Sequence, residues 1–159
     1  MNGFGVASWT HLYQEAFQCL RPGGWVENQE FDCEIVSDDN TLPADSKMRE
    51  WARLWNQGVG MIRKFARCHP ETMVEQMEAA GFVNTRILEY KMPIGPWPKD
   101  PMLKEAGLYG LAALYDGVFG MSVKLFVEVL GWSIEELEVF LAQFRQELKR
   151  KSIHSYWPT

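Results

Sequence analysis

The chain is poor in cysteine, in basic runs and in uninterrupted apolar stretches, and each shortage removes a class of function. Its 159 residues include three cysteines, Cys19, Cys33 and Cys68. The number is odd, the spacing is not that of a metal site, and the contexts are apolar or strand-like, so free thiols in a reducing compartment are expected rather than disulfides or a nucleophile. The formal charge is −5, with no basic stripe to offset it, which argues against binding a nucleic-acid backbone. The one basic triplet, Lys149-Arg150-Lys151, suits a helix C-terminus. No run approaches the ~18 uninterrupted apolar residues of a membrane span, and no basic segment precedes an apolar one at the start. A soluble intracellular protein, cytoplasmic or nuclear, without a membrane contact, is expected. Repeats and low-complexity tracts are absent.

Apolar residues make up 47% of the chain and aromatics 13%, which is enough for one domain with a substantial core. Ser8 is placed to cap a helix whose face is Trp9, Leu12, Tyr13, Ala16 and Leu20. The stretch Leu20-Arg21-Pro22-Gly23-Gly24-Trp25 ends that helix and turns into an extended run over 25–36. Residues 38–44 read as a loop. A long helix is expected at about 45–67, striped by Met48, Trp51, Trp55, Gly58, Ile62 and Phe65. His69 and Pro70 open another, which Gly81-Phe82 ends. A strand over 83–92, polar on one side, leads to a connector stiffened by Pro93, Pro96, Pro98 and Pro101. A helix follows with Leu103, Gly107, Leu111, Leu114 and Val118 on one face, Gly120 interrupts it, and 123–130 forms a second segment. Ser133-Ile134-Glu135-Glu136 is a capping box opening a helix with Ile134, Leu137, Leu141, Phe144 and Leu148 inward.

The run from Trp9 to Glu30 resembles the segment before and through the fifth strand of class I S-adenosylmethionine-dependent methyltransferases. Ser37-Asp38-Asp39-Asn40-Thr41-Leu42-Pro43, Met77-Glu78-Ala79-Ala80-Gly81-Phe82, Pro93-Ile94-Gly95-Pro96-Trp97-Pro98 and Ile153-His154-Ser155-Tyr156-Trp157-Pro158 then fall in the order found in fungal LaeA-like methyltransferases. The resemblance covers nearly the whole chain. It implies an α/β fold, the C-terminal half of a Rossmann-like sheet as one domain over 1–159, with a large helical cap at about 45–67 and 101–151. It also implies S-adenosylmethionine as cofactor and methyl transfer in secondary metabolism, biosynthetic or regulatory.

Such enzymes hold the cofactor on a Gly-rich turn after the first strand, with an acidic residue ending the second. Neither is present, and Gly3-Phe4-Gly5 has no preceding strand. The resemblance therefore implies that the cofactor-binding half and a seventh strand, expected beyond Tyr156-Trp157-Pro158, are missing, as in a truncated methyltransferase. The alternative is an inactive or cofactor-independent remnant that binds a protein partner or a small apolar ligand, as in a cyclase-type role. An incomplete sheet exposes an edge that a homodimer or a partner would cover.

Candidate site residues follow from position. Trp9 begins the helix nearest the cofactor. Glu27 and Gln29 lie at the end of the fifth strand, toward an acceptor. Trp51 and Trp55 can line an aromatic pocket, and the hydroxyls of Tyr109 and Tyr115 can orient a small-molecule acceptor. His154 matches the histidine of the family's terminal motif and can serve as general base for a hydroxyl nucleophile. His11, His69 and His154 each lack a carboxylate or cysteine partner nearby in the sequence. No metal site is expected.

Overall fold

A computed structural model describes residues 6–62 and 69–159. Among the described residues, five α-helices and two strands follow in the order α1 (Trp9–Cys19), α2 (Lys47–Met61), α3 (Pro70–Ala80), β1 (Lys91–Ile94), α4 (Pro101–Val123), α5 (Ile134–Leu148) and β2 (Ser155–Pro158). A π-helical turn, Lys124–Val129, joins α4 to α5. The fold is thus α/β by content, mostly helical, with a two-stranded antiparallel sheet among the described residues.

Local chemistry sets the helix boundaries. The Ser8 side chain accepts from the His11 N–H at the start of α1, and the reciprocal bonds of the Ser133 and Glu136 capping box open α5. Gly81 closes α3 at φ 110°, and the Phe82 N–H reaches back to the Met77 carbonyl. Phe82 then meets Phe17 edge-on at 5.1 Å, joining α3 to α1. His69 stands at the head of α3, but its side chain makes no capping hydrogen bond; Pro70 supplies the favourable first position instead. Of the stripe expected on α2, Met48, Trp51, Trp55 and Gly58 are buried. Ile62 is more than a third exposed, and Phe65, Cys68 and Gly3-Phe4-Gly5 lie outside the described residues.

Three expectations are corrected. Residues 25–36 do not form a strand. Trp25 is 83% exposed, and only the end of the run pairs, through the Val36 bridge to Tyr156 and the Asp32 N–H to the Pro158 carbonyl. The expected strand over 83–92 shrinks to Lys91–Ile94, because pairing with β2 begins only near the Tyr90 and Thr159 backbones. Gly120 does not interrupt α4, since one helix runs from Pro101 to Val123.

The extended residues share one register. Lys91 faces Pro158 and Ile94 faces Ser155, while residues 32–36 run along the other edge of β2, also antiparallel to it. Cys33 and Ile35 alternate inward to the core, as the period of an extended chain requires. That core is built from α2, α4, the π-helical turn and α5, with Phe126, Leu137, Leu141 and Phe144 fully buried. The helical block expected as a cap supplies most of this core. The helical span Pro101–Val129 is, by length and composition, apolar enough to cross a membrane, and a third of its most apolar 18-residue window is buried. The charge of Asp116 breaks the run in the sequence without making the helix polar.

Glycine sets how closely α4 approaches β1. A Cβ on Gly107 would stand 2.1 Å from the Gly95 carbonyl oxygen, and one on Gly110 would stand 2.7 Å from that of Pro93. The Gly95 N–H donates to the Gly107 carbonyl across this contact. Gly120, by contrast, has nothing within 4 Å of an added Cβ. Gly107→Ala is therefore expected to destabilise the fold by about 1–3 kcal/mol through overpacking. Gly120→Ala should stabilise it by about 0.5–1 kcal/mol by removing backbone freedom. Urea unfolding midpoints measure both, and equal shifts for the two variants would refute the close-approach argument.

Candidate functional site

Among the described residues, polar side chains converge where the loop 37–41 meets β2. Its residue types are those that bond their own backbone in turns, and the loop does so around Asp39. One Asp39 oxygen, Oδ1, accepts from the Ser37 hydroxyl at 2.7 Å, the Thr41 hydroxyl at 2.7 Å and the Thr41 N–H at 3.2 Å. The other, Oδ2, faces His154 Nδ1 at 2.5 Å. The Thr41 oxygen in turn accepts the backbone N–H of His154 at 2.8 Å. Asn40, at φ 58°, supplies the reversal between them, a conformation asparagine tolerates better than most residues.

Asp38 makes a parallel attachment. Its Oδ1 accepts from the Tyr156 hydroxyl at 2.6 Å, and its Oδ2 pairs with the Lys91 ammonium. Lys91 also lies 5.0 Å from the centroid of the Tyr156 ring. Trp97 completes the group. Its indole N–H donates to the Ser155 carbonyl at 2.9 Å, and its ring stacks on the His154 imidazole at 5.4 Å and 28°. The His154 side chain remains 38% exposed and that of Asp39 47%, so the dyad is supported from behind and reachable from solvent.

These bonds fix the charges. The hydroxyls of Thr41 and Ser37, then His154, hold the Asp39 carboxyl well below the usual carboxylate range. Lys91, then Tyr156, lowers that of Asp38. Hydrogen bonding to Asp38 raises both the Lys91 ammonium and the Tyr156 hydroxyl. Away from this site, burial first, then the charges of Asp32 and Glu30, pushes the Cys33 thiol up to about 12. That keeps it protonated and poorly nucleophilic.

The other candidates sit elsewhere. Trp9 is buried and stacks on Tyr13 at 5.6 Å. Glu27 and Gln29 are exposed and hydrogen-bonded to each other at 2.5 Å. Trp51 and Trp55 are core residues: the indole N–H of Trp51 donates to the Ser122 hydroxyl at 2.8 Å and that of Trp55 to the Met121 carbonyl at 3.1 Å. Tyr109 is 70% exposed. Tyr115 is half-buried beneath two cations, with Lys149 Nζ at 4.7 Å and the Arg145 guanidinium at 5.6 Å. An open depression of about 690 Å³, lined by Lys47, Glu50, Trp132, Glu135, Phe140 and Gln143 among others, contains none of them.

Reasoning from sequence missed Asp38, Asp39, Lys91 and Trp97. It judged His154 to lack a carboxylate partner because Asp39 lies 115 residues away. The signal available was the pairing of an Asp-rich turn motif with a His-x-Tyr motif in one resemblance.

No family model matches the chain, and no solved structure matches it. Curated relatives do. The probable methyltransferase tdiE of Emericella nidulans is 35% identical over 147 residues, 92% of this chain and 46% of that protein. Methyltransferase pytC of Aspergillus terreus is 38% identical over 152 residues, 94% of this chain and 46% of that protein. The secondary metabolism regulator LAE1 of Cochliobolus heterostrophus is 32% identical over 154 residues, 95% of this chain and 50% of that protein. Over the matched part the chain is homologous to these methyltransferases and to this secondary metabolism regulator. It spans about half the length of the curated relatives it matches.

The described residues do not fit S-adenosylmethionine. The strand-to-helix passage from β1 into α4 is closed by the Asp100 carboxylate, which accepts the Leu103 N–H, and by Pro101, which has no N–H to offer a ligand. Trp9 is packed away.

The shifts of the site groups set a pH window. Asp38 and Asp39 are lowered in the folded state, so what they contribute is complete above the ordinary carboxylate range, about pH 4, and lost as pH falls through their lower folded values. Tyr156 and Lys91 are raised, so their contribution is complete below about pH 10 and lost as pH rises through their higher values. The backbone amide resonances of Val36 and Tyr156 should move together at either end of this window. Movement of one without the other at the acid end would contradict the carboxylate assignment.

Proposed function

We propose that this chain carries the acceptor side of an intracellular, S-adenosylmethionine-dependent methyltransferase of LaeA-like type, acting in or regulating secondary-metabolite biosynthesis. The observation that carries this reading is the match to methyltransferases and secondary-metabolism regulators over more than nine-tenths of the chain. Within it, residues 32–36, β1 and β2 are assigned as the fifth, sixth and seventh strands of a larger Rossmann-like sheet. The expected seventh strand is then placed at Ser155–Pro158 instead of beyond the last residue. Support comes from the register, in which 32–36 and β1 flank β2 and are both antiparallel to it.

The cofactor belongs, in this reading, to the portion of such proteins that this chain does not match. Apolar side chains left exposed along 83–92 and at the start of α4, among them Val83, Leu88, Tyr90 and Met102, are the surface against which that portion packs. When bound, the cofactor supplies an electrophilic methyl group. What this chain supplies is acceptor binding and proton management. His154 is the general base, and the acceptor binds on its open side, apart from Glu27, Gln29 and Tyr109. Trp51 and Trp55 serve the helical core, where they tie α2 to α4.

A graft tests the proposal. This chain would replace the matching part of pytC in Aspergillus terreus, with mass spectrometry following metabolites that lose a methyl group when pytC is deleted. The graft is expected to restore the methylated species, and His154→Ala in the graft to reduce them about a hundredfold, the low end for loss of a general base. A folded graft that restores nothing would overturn the methyl-transfer reading. Equal restoration by the His154→Ala graft would overturn the base assignment alone.

A further inference from the structure

We infer that Asp39 is a positioning residue that fixes the neutral His154 imidazole with its proton on Nδ1, leaving Nε2 as the proton acceptor for a hydroxyl-bearing ligand. The argument starts from the carboxylate. Its Oδ1 is taken by three donors, two hydroxyls and one backbone N–H. Neither oxygen can exchange roles by rotation without breaking those bonds. Oδ2 can only accept, so the 2.5 Å contact with Nδ1 requires a proton on that nitrogen. The ring cannot readily turn to offer Nε2 instead, because Trp97 stacks on its face and is itself anchored to the Ser155 carbonyl. Thr41 registers both partners at once, donating to Asp39 and accepting from the His154 backbone.

The chemistry follows from the tautomer. An unprotonated Nε2 can take a proton from an O–H as that bond breaks, forming the imidazolium, whose charge lies against Asp39. The proton then leaves to water, restoring the neutral ring. A base of this kind serves a ligand that arrives protonated. A carboxylic acid is already ionised near neutrality, and an anion beside the ring would be repelled by the Asp39 carboxylate. The ligand class is therefore a neutral alcohol, phenol or enol. This last step rests on the methyl-transfer reading, whereas the tautomer does not.

The amide variant gives a directional test. In Asp39→Asn, the three donors that hold Oδ1 also fix which side the amide oxygen takes, so its NH₂ faces Nδ1. Nδ1 must then accept, and the ring proton moves to Nε2, as when the aspartate of a serine-protease triad is replaced. Long-range proton–nitrogen correlation spectra of the ¹⁵N-labelled chain at about pH 8, above the ordinary imidazole range, report the tautomer directly. His154→Gln identifies the resonance among three histidines. The wild-type chain should show His154 as the Nδ1–H tautomer, and Asp39→Asn should show Nε2–H. An Nε2–H tautomer, or a mixture, in the wild-type chain would overturn the inference without recourse to any variant.

Reactivity gives a second readout that loss of packing alone would not produce. Diethyl pyrocarbonate attacks an unprotonated, accessible ring nitrogen, and its rate at His154 should fall at least about tenfold in Asp39→Asn through tautomer inversion. An unchanged or higher rate in a folded variant would overturn the assignment. Because neither measurement involves methyl transfer, a failed graft with the expected tautomer would count against the functional reading only.

Discussion

The last few residues carry hydrogen bonds on both edges, and the rest of the structure depends on that. A buried extended segment must pair its backbone or lose the free energy of its unpaired groups. β2 does so with β1 on one side and with residues 32 and 36 on the other, and the Trp97 indole takes the Ser155 carbonyl. Three regions far apart in sequence are thereby held in one register. Alternation then separates the side chains. His154 and Tyr156 meet the 37–41 loop, while Trp157 enters the core beside Phe31. A slip of one residue would exchange these faces, placing Trp157 against two aspartates and Tyr156 among apolar side chains.

The helical block is held by a different device, buried polar groups paired across helices. Trp51 and Trp55 each bring an N–H into the core, and α4 answers with the Ser122 hydroxyl and the Met121 carbonyl. At the head of α2, the Glu147 carboxylate of α5 accepts from the Ser46 hydroxyl and the Met48 N–H. An anion at a helix N-terminus satisfies donors that would otherwise lack partners and complements the helix dipole. These pairings orient α2, α4 and α5 relative to one another, which apolar contact alone does less selectively.

Much of this was legible wherever the determinant is local. The Ser8 and Ser133 caps, the Gly81 turn and the Met48, Trp51 and Trp55 face depend on residues a few positions apart, and each was readable from the sequence. The strands were not, since whether an apolar alternation becomes a ladder depends on a partner elsewhere. Residues 25–31 and 83–89 have the composition of strands, yet β2 pairs its backbone with Asp32, Val36 and residues 90–94 instead, whereas Ser155–Pro158 is too short to announce itself. Gly120 looked like a break because glycine weakens a helix interior, yet the packing of Leu114, Val118 and Ser122 on either side keeps α4 continuous. Of the candidate site, the histidine was visible and its carboxylate was not, because no local spacing links residues 39 and 154.

That separation bears on how the site comes into being. The loop contributes two consecutive acids with different tasks, Asp38 toward Tyr156 and Lys91, Asp39 toward His154, and Asn40 turns the chain so that Thr41 can join them. None of these bonds has a nearby substitute, and each is worth little until β2 is seated beside Val36, since the entropy of closing so long a loop must be met first. The strand register and the dyad are therefore one cooperative unit: whatever seats β2 against residues 32–36 also brings Oδ2 to Nδ1. A change that loosens β1 or the glycine contact with α4 should in consequence reach His154 through the strand, without touching either member of the dyad.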